Sequence, residues 1–334
     1  MAGTADRPDA ESVDASSGAG SATAGADTLA RPPVASRRLL GTGLHYHLLE
    51  WQPRPGGADA GTAPTVVLLH GFLDSCWTWQ VLIDTGLFDR YRVLAPDLRG
   101  HGDSDRVGTG GYYHFMDYLA DLHELITQIG SERVALVGHS MGGTVASYYA
   151  GAFPERTQRL ITLDSLILPP SQNTLDSIPE RVRSWLAAWD RVRRKAQRPL
   201  ADLEDAARRL QLHDGRLQAD LAHFLAERGT RELGDGTRQF KHDPLHMTPG
   251  PYPFMLDVAA SFWRRISCPT LHVLAEASEF QASEALQNEY LRYFRSARIA
   301  RVPDCGHMLH RHQPIAVARL VRDFLDEPAA APAT

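Results

Sequence analysis

The pentapeptide Gly138-His139-Ser140-Met141-Gly142 holds the clearest chemistry in this chain. A serine hydroxyl is a poor nucleophile unless a tight turn exposes it beside a base. Glycines two residues to either side let neighbouring backbone crowd into such a turn. The apolar run 134–137 leads into Gly138, and a helical pattern follows over 141–153, stopped before Pro154. That strand–turn–helix context separates the motif from an ordinary glycine-rich turn and points to nucleophilic catalysis through Ser140.

A serine so placed needs a rigid frame, and the flanking pattern supplies one. Residues 39–51 read as a strand pair turning near 41–43. Residues 65–70, Thr-Val-Val-Leu-Leu-His, form a near-continuous apolar run ending at Gly71, as expected for a strand covered on both faces. Residues 92–96 read as the next strand. The spacing predicts a helix over 114–129, with Tyr118, Leu122, Leu125 and Ile129 on one face and Gly130 just past its end. Residues 160–163 form a further buried strand. This alternation predicts an α/β fold with a mostly parallel sheet flanked by helices.

From 169 to 264 the pattern changes to Arg-rich helical stretches, among them 179–194 and 200–209, followed by a loop-like region over 229–253 with no strand-like run. Alternation then returns as strand 270–274, helix 282–293, strand 298–302 and helix 315–325. A separate domain built from 270–325 would be too small to bury its own strands, so the helical region reads as a cap inserted after the sixth strand. The predicted division is a disordered segment over 1–36, a core over 37–168 and 265–327, a helical cap over 169–264, and a disordered tail over 328–334. The first 30 residues are rich in Ala, Gly, Ser, Asp and Thr, too poor in apolar surface to offset their ordering entropy.

A net charge of −5 leaves no basic footprint for nucleic acid and argues against an anionic membrane surface as partner. No apolar run is long enough to cross a membrane, and the N-terminus lacks the pattern of a secretory signal, so a cytoplasmic enzyme is expected. Cys76, Cys268 and Cys305 are an odd set without framework spacing, which predicts no disulfide scaffold. Cys76 and Cys305 read as small buried fillers. His242-Asp243 lacks further ligands at metal-binding spacing, so neither metal nor cofactor is expected.

Between residues 39 and 325 the chain resembles the α/β-hydrolase family, in its capped, serine hydrolase-like subset. The resemblance rests on the elbow and on three further motifs. His70-Gly71-Phe72 resembles the family's oxyanion loop, Asp97-Leu98-Arg99-Gly100-His101-Gly102-Asp103-Ser104 the loop after the fourth strand, and Gly306-His307 the catalytic-histidine loop. It implies that His307 is the general base, accepting the proton of Ser140 and returning it to the leaving group. His310 and His312 lack the Gly-His context. The oxyanion hole is expected from the backbone N–H groups of Phe72 and Met141. Asp97, Arg99 and Asp103 read as a structural tie beneath the site, and Asp74 as a cap for a helix starting near Ser75.

The third catalytic member is displaced. Most of the family carries an Asp after the seventh strand, but here residues 275–279 read Ala-Glu-Ala-Ser-Glu, which puts Ser278 at the acid's position. Two replacements fit. Glu276 and Glu279 flank the gap, while Asp164 closes the sixth strand. The latter arrangement resembles some haloalkane dehalogenases and the related coelenterazine luciferases, and Asp164 is the preferred acid. Serine at the elbow argues against dehalogenase and epoxide-hydrolase reactions, which need a carboxylate nucleophile.

The expected activity is cleavage of an ester, thioester or related acyl bond of a small organic molecule through an acyl-enzyme. An acyltransferase, a C–C hydrolase or a cofactor-free oxidative enzyme would use nearly the same residues. The missing acid after strand seven motivates a further alternative, a non-catalytic small-molecule-binding homologue. The sequence leaves oligomeric state open.

Overall fold

A computed structural model describes residues 31–54, 63–86, 88–165, 177–195, 197–280 and 282–328. Of the segments expected to be disordered, 1–36 and 328–334, residues 1–30 and 329–334 lie outside the described residues, as does the core–cap junction at 166–176.

Eight strands form one sheet in the order β1-β2-β4-β3-β5-β6-β9-β10. They are β1 (Ala35–Gly41), β2 (Leu44–Trp51), β3 (Thr65–Leu69), β4 (Arg92–Pro96), β5 (Val134–His139), β6 (Thr157–Leu163), β9 (Thr270–Ala275) and β10 (Ala297–Val302). The β1–β2 and β2–β4 pairs are antiparallel and every other pair is parallel. The central strands β3, β5 and β9 are buried at every position, as their unbroken apolar runs require.

Alternate residues of these strands feed two cores, one on each face of the sheet. Val66, Leu68, Val137, Ile161 and Val273 pack on the face covered by α1 (Gln80–Ile83) and α10 (Pro314–Asp326). Val67, Leu69, Leu136 and Leu160 pack on the other, beneath α2 (Phe115–Gln128), α3 (Met141–Ala152), α7 (Leu256–Trp263) and α8 (Glu284–Leu291). α9 (Leu309–His312) sits beside α10.

Between β6 and α7 lie α4 (Ile178–Arg194), α5 (Leu203–His213) and α6 (Ala219–Gly229). A third, smaller core of Leu200, Ala206, Leu217, Ala222 and Leu225 holds α5 to α6. Ion pairs tie this unit to the sheet's loops: Lys241 to Asp103 at 2.8 Å, and His312 to Asp214 at 2.8 Å. α4 buries no residue fully, in keeping with its arginine-rich solvated face.

Three details differ from the expectations above. Order begins before the expected boundary at 36, because Arg31 is buried and Ala35 and Ser36 pair with Glu50 and Leu49 in β1. The 229–253 region is not free of strands: β7 (Thr230–Glu232) and β8 (Arg238–Phe240) pair as a short antiparallel hairpin. In addition, α7, which the sequence reading assigned to the cap, packs on core helix α3. Gly151 of α3 comes so close that an added Cβ would lie 2.3 Å from the carbonyl oxygen of Phe262.

Candidate active site

Ser140 stands between the end of β5 and the first turn of α3, with φ 50° and ψ −117°. A non-glycine residue in that region is strained by about 1–3 kcal/mol and persists only where its surroundings fix it. Here the Ser140 N–H donates to the Leu163 carbonyl at 2.9 Å. Its own carbonyl accepts from the Gly143 N–H at 3.0 Å and from the Ser165 hydroxyl at 2.8 Å. The flanking glycines have a geometric reason. A Cβ on Gly138 would meet the Gly142 carbonyl oxygen at 2.3 Å, and one on Gly142 the Leu69 carbonyl oxygen at 2.2 Å.

His307 arrives on the loop after β10. Its Nε2 lies 2.9 Å from Ser140 Oγ and its Nδ1 lies 2.7 Å from Asp164 Oδ2. With Nδ1–H donating to the carboxylate, Nε2 is left as acceptor for the serine hydroxyl. The loop is held by His139, whose Nε2 donates to the His307 carbonyl oxygen at 2.9 Å. Burial, with His307 adding to it, pushes the His139 imidazole well below its ordinary value. Burial does the same to His310, next to His139 at 4.5 Å between ring centroids. Both rings are thus neutral supports.

Asp164 is fully buried at the carboxyl end of β6. β6 and β9 are neighbours in the sheet, so their ends open onto the same place. The Asp164 carboxylate accepts from the Ala275 N–H at 3.2 Å and from the Ser278 hydroxyl at 2.5 Å, besides His307. A buried carboxylate needs such donors to stay charged. Ser278, at the place where the family's acid was expected, therefore donates to the Asp164 carboxylate. Glu276 and Glu279 are exposed and make no hydrogen bond to His307 among the described residues. Ser278→Ala is expected to lower kcat about three- to tenfold with KM little changed, as steady-state kinetics would show, since a charge-assisted hydrogen bond to the orienting carboxylate is lost.

The residues of the predicted oxyanion donors, Phe72 and Met141, line the same cavity as Ser140. Met141 opens α3, where backbone N–H groups have no helical acceptor. Phe72 follows Gly71, packed against His139. Neither N–H donates to another described group. The Phe72 loop is locked from below by two histidines that sequence reading left without roles. His70 Nε2 accepts from the Leu98 N–H at 2.9 Å, and His101 Nε2 accepts from the Leu73 N–H at 3.2 Å. Burial drives the His101 imidazole far down, which keeps it neutral and able to accept. Their places in the His-Gly-Phe and Arg-Gly-His-Gly motifs were the available signal.

Asp97 does tie the loops together, accepting from the Cys76 N–H at 2.7 Å and the Asp103 N–H at 2.9 Å while pairing with His47 at 2.7 Å. Against the pull of burial, that carboxylate holds the His47 imidazole above its ordinary value. Arg99 pairs with Asp121 rather than reaching the site. Asp74 departs from its expected capping role: Ser75 caps the 3₁₀ turn Cys76–Trp79 without a side-chain bond, and Asp74 pairs with Arg311 at 2.6 Å. Cys76 and Cys305 are fully buried. Two triplets, His47–Cys76–Asp97 and Asp74–His139–His310, group metal-type atoms. The first spends them on mutual contacts, His47 Nδ1 with Asp97 and with Cys76 Sγ, and the second sets Asp74 against the cationic Arg311.

Above Ser140 lies a cavity of about 650 Å³, walled largely by aromatic and apolar side chains from the loop before α2, from α3 and from the return out of the cap. Of the Phe, Tyr and Trp side chains between residues 185 and 263, Tyr252 and Phe254 face it. Trp185 and Trp189 stack on each other and against Tyr112, while Trp263 is in the core. Among the described residues no helix is long and apolar enough to cross a membrane.

Comparison with known proteins agrees with this architecture. The family model described as alpha/beta hydrolase fold matches residues 64–310. A serine hydrolase-like protein of Danio rerio is 25% identical over 273 residues, covering 78% of this chain and 81% of the relative. A Bacillus subtilis protein provisionally named 2-succinyl-6-hydroxy-2,4-cyclohexadiene-1-carboxylate synthase is 30% identical over 290 residues, covering 80% of this chain and 93% of the relative. The thioesterase domain from the curacin biosynthetic pathway superposes with a TM-score of 0.74 at 25% identity, covering 86% of this chain and 98% of that one.

Proposed function

Because this chain belongs to the α/β-hydrolase fold family, we propose that it is a serine hydrolase cleaving an ester, thioester or related acyl bond through an acyl-enzyme. The observation that carries the reading is the unbroken relay from Ser140 Oγ to His307 at 2.9 Å and on to Asp164 at 2.7 Å, at the floor of an apolar cavity.

In the reaction the Ser140 oxygen attacks the acyl carbon while its proton passes to His307 Nε2. The carbonyl electron pair moves onto oxygen, where the Phe72 and Met141 N–H groups meet the new negative charge. Asp164 orients the imidazole and stabilises its protonated form. Collapse of the tetrahedral species breaks the bond to the leaving group, which takes the proton from His307. Water then attacks the acyl-serine by the same route, with His307 again accepting and returning a proton. No step calls for a metal or cofactor. The proposal takes the chain as a cytoplasmic enzyme with a small-molecule substrate.

Similarity to a serine hydrolase-like protein and a thioesterase domain supports this reading. A second reading, chemistry on a carboxylate as the Bacillus subtilis relative's name describes, has the 30% identity in its favour. The cavity wall disfavours it, because no Lys or Arg side chain lines it among the described residues. A panel of p-nitrophenyl esters from acetate to laurate tests the first reading. Turnover rising to a medium chain length is expected from a cavity of this size. No turnover of any member, together with no fluorophosphonate labelling, would contradict it.

A further inference from the structure

The cavity above Ser140 is closed to charge but not to hydrogen bonding. Among the described residues its wall holds no Asp, Glu, Lys or Arg side chain. Of the wall histidines, His246 is buried and pushed down to about 4, hence neutral at ordinary pH. A carboxylate entering this space would meet no Lys or Arg side chain among the described residues to offset the water it gives up, which is unfavourable.

Most hydroxyls on the wall are already committed. The Tyr112 hydroxyl lies 2.7 Å from Thr248 Oγ1, and the Tyr113 hydroxyl donates to Asp243 at 2.8 Å. The Tyr118 hydroxyl faces His246, and Ser165 donates to the Ser140 carbonyl oxygen. Tyr148 differs. Only 5% of the residue is exposed, it faces the cavity, and its hydroxyl has no hydrogen-bond partner among the described residues. Nor is that oxygen among the buried polar atoms sealed from solvent, a set that does include His246 Nε2. The ring is fixed, stacked on Phe262 at 4.6 Å between centroids and met edge-on by Phe115 at 5.2 Å. The hydroxyl is therefore held in place with no hydrogen-bond partner among the described residues.

We propose that Tyr148 is a specificity-determining residue of this site, and that the substrate is an uncharged, mainly apolar acyl compound with a keto or hydroxyl oxygen several bonds from the scissile carbonyl. Tyr148 follows Ser140 by eight positions along α3, a backbone rise of roughly 12 Å that the side chain's lean towards the helix N-terminus shortens, so the place of the matching oxygen along the chain is found by scanning it. A purely alkyl chain would leave the phenol unsatisfied on binding, which a keto oxygen at the right position avoids. The inference rests on Ser140 marking the reacting end of the cavity.

Binding is measured by calorimetry with Ser140→Ala protein, so that no ligand is consumed. The ligands are methyl octanoate, its 4-, 5-, 6- and 7-oxo analogues and monomethyl suberate. One oxo isomer is expected to bind about tenfold more tightly than methyl octanoate, and monomethyl suberate, with its distal carboxylate, about 100-fold more weakly than that isomer. In Ser140→Ala/Tyr148→Phe protein the preference for the oxo isomer falls to within about twofold. The inference is overturned by any of three results: no oxo isomer preferred over methyl octanoate, a preference that survives Tyr148→Phe, or suberate bound as tightly as the oxo ligands. If the double variant does not fold, the ranking in the single variant still decides. Wild-type turnover of the same esters is scored separately. The predicted ranking without turnover would reject the hydrolase reading and keep the binding inference.

Discussion

Asp164→Asn lowers kcat for a p-nitrophenyl ester by about 10⁴-fold, with KM changed only a few-fold. The size of the effect follows from the bonds around His307. An asparagine amide can present its N–H to Nδ1, which forces the proton onto Nε2, the atom that must accept from Ser140 Oγ at 2.9 Å. The variant also removes the one carboxylate that stabilises the imidazolium, at 2.7 Å and fully buried. Glu276→Gln and Glu279→Gln leave kcat within about twofold, because both side chains are exposed and neither bonds His307. Steady-state rates of the three variants, with circular dichroism to establish folding, check the expectation. An Asp164→Asn enzyme at near wild-type rate would mean that the observed relay is not the one used.

Ser140→Ala has the larger effect, a fall in kcat of about 10⁶-fold, since the members of such a relay act as a unit and no neighbouring hydroxyl can replace the nucleophile. Ser165, which also lines the cavity, is engaged with the Ser140 carbonyl oxygen. Some acceleration over water should survive from the oxyanion donors and the cavity, about 10³-fold. Because alanine keeps the Cβ of serine, the strained φ of 50° is unchanged and the fold should be retained. Loss of activity without loss of thermal stability would be read as loss of chemistry alone.

Much of this arrangement is legible in the sequence, and for local reasons. The runs over 65–69 and 134–139 announce buried strands because every position is covered, and the elbow glycines announce close backbone approach. Asp164 can be read from the end of its strand because neighbouring parallel strands open their carboxyl ends onto one place. The less legible features depend on contacts between distant residues. β7 and β8 are three residues each, mostly polar, and carry no apolar period to detect. α7 falls at the end of the stretch assigned to the cap, and its core partner is set by the approach of Gly151 to Phe262, which lies far off in sequence. Ser278 looks like a vacancy until the fold brings it to a carboxylate 114 positions away. The same holds for Asp74, whose pairing with Arg311 spans 237 positions and outweighs any local capping preference.

The most direct test of a nucleophilic Ser140 driven by His307 and Asp164 is the rate of covalent labelling by a fluorophosphonate, followed by intact-protein and peptide mass spectrometry. A single adduct on Ser140 is expected in the wild type. Labelling should be absent in Ser140→Ala and slowed by orders of magnitude in Asp164→Asn, and unchanged in Glu276→Gln and Glu279→Gln. An adduct on another residue, or Asp164→Asn labelled as fast as the wild type, would contradict the account.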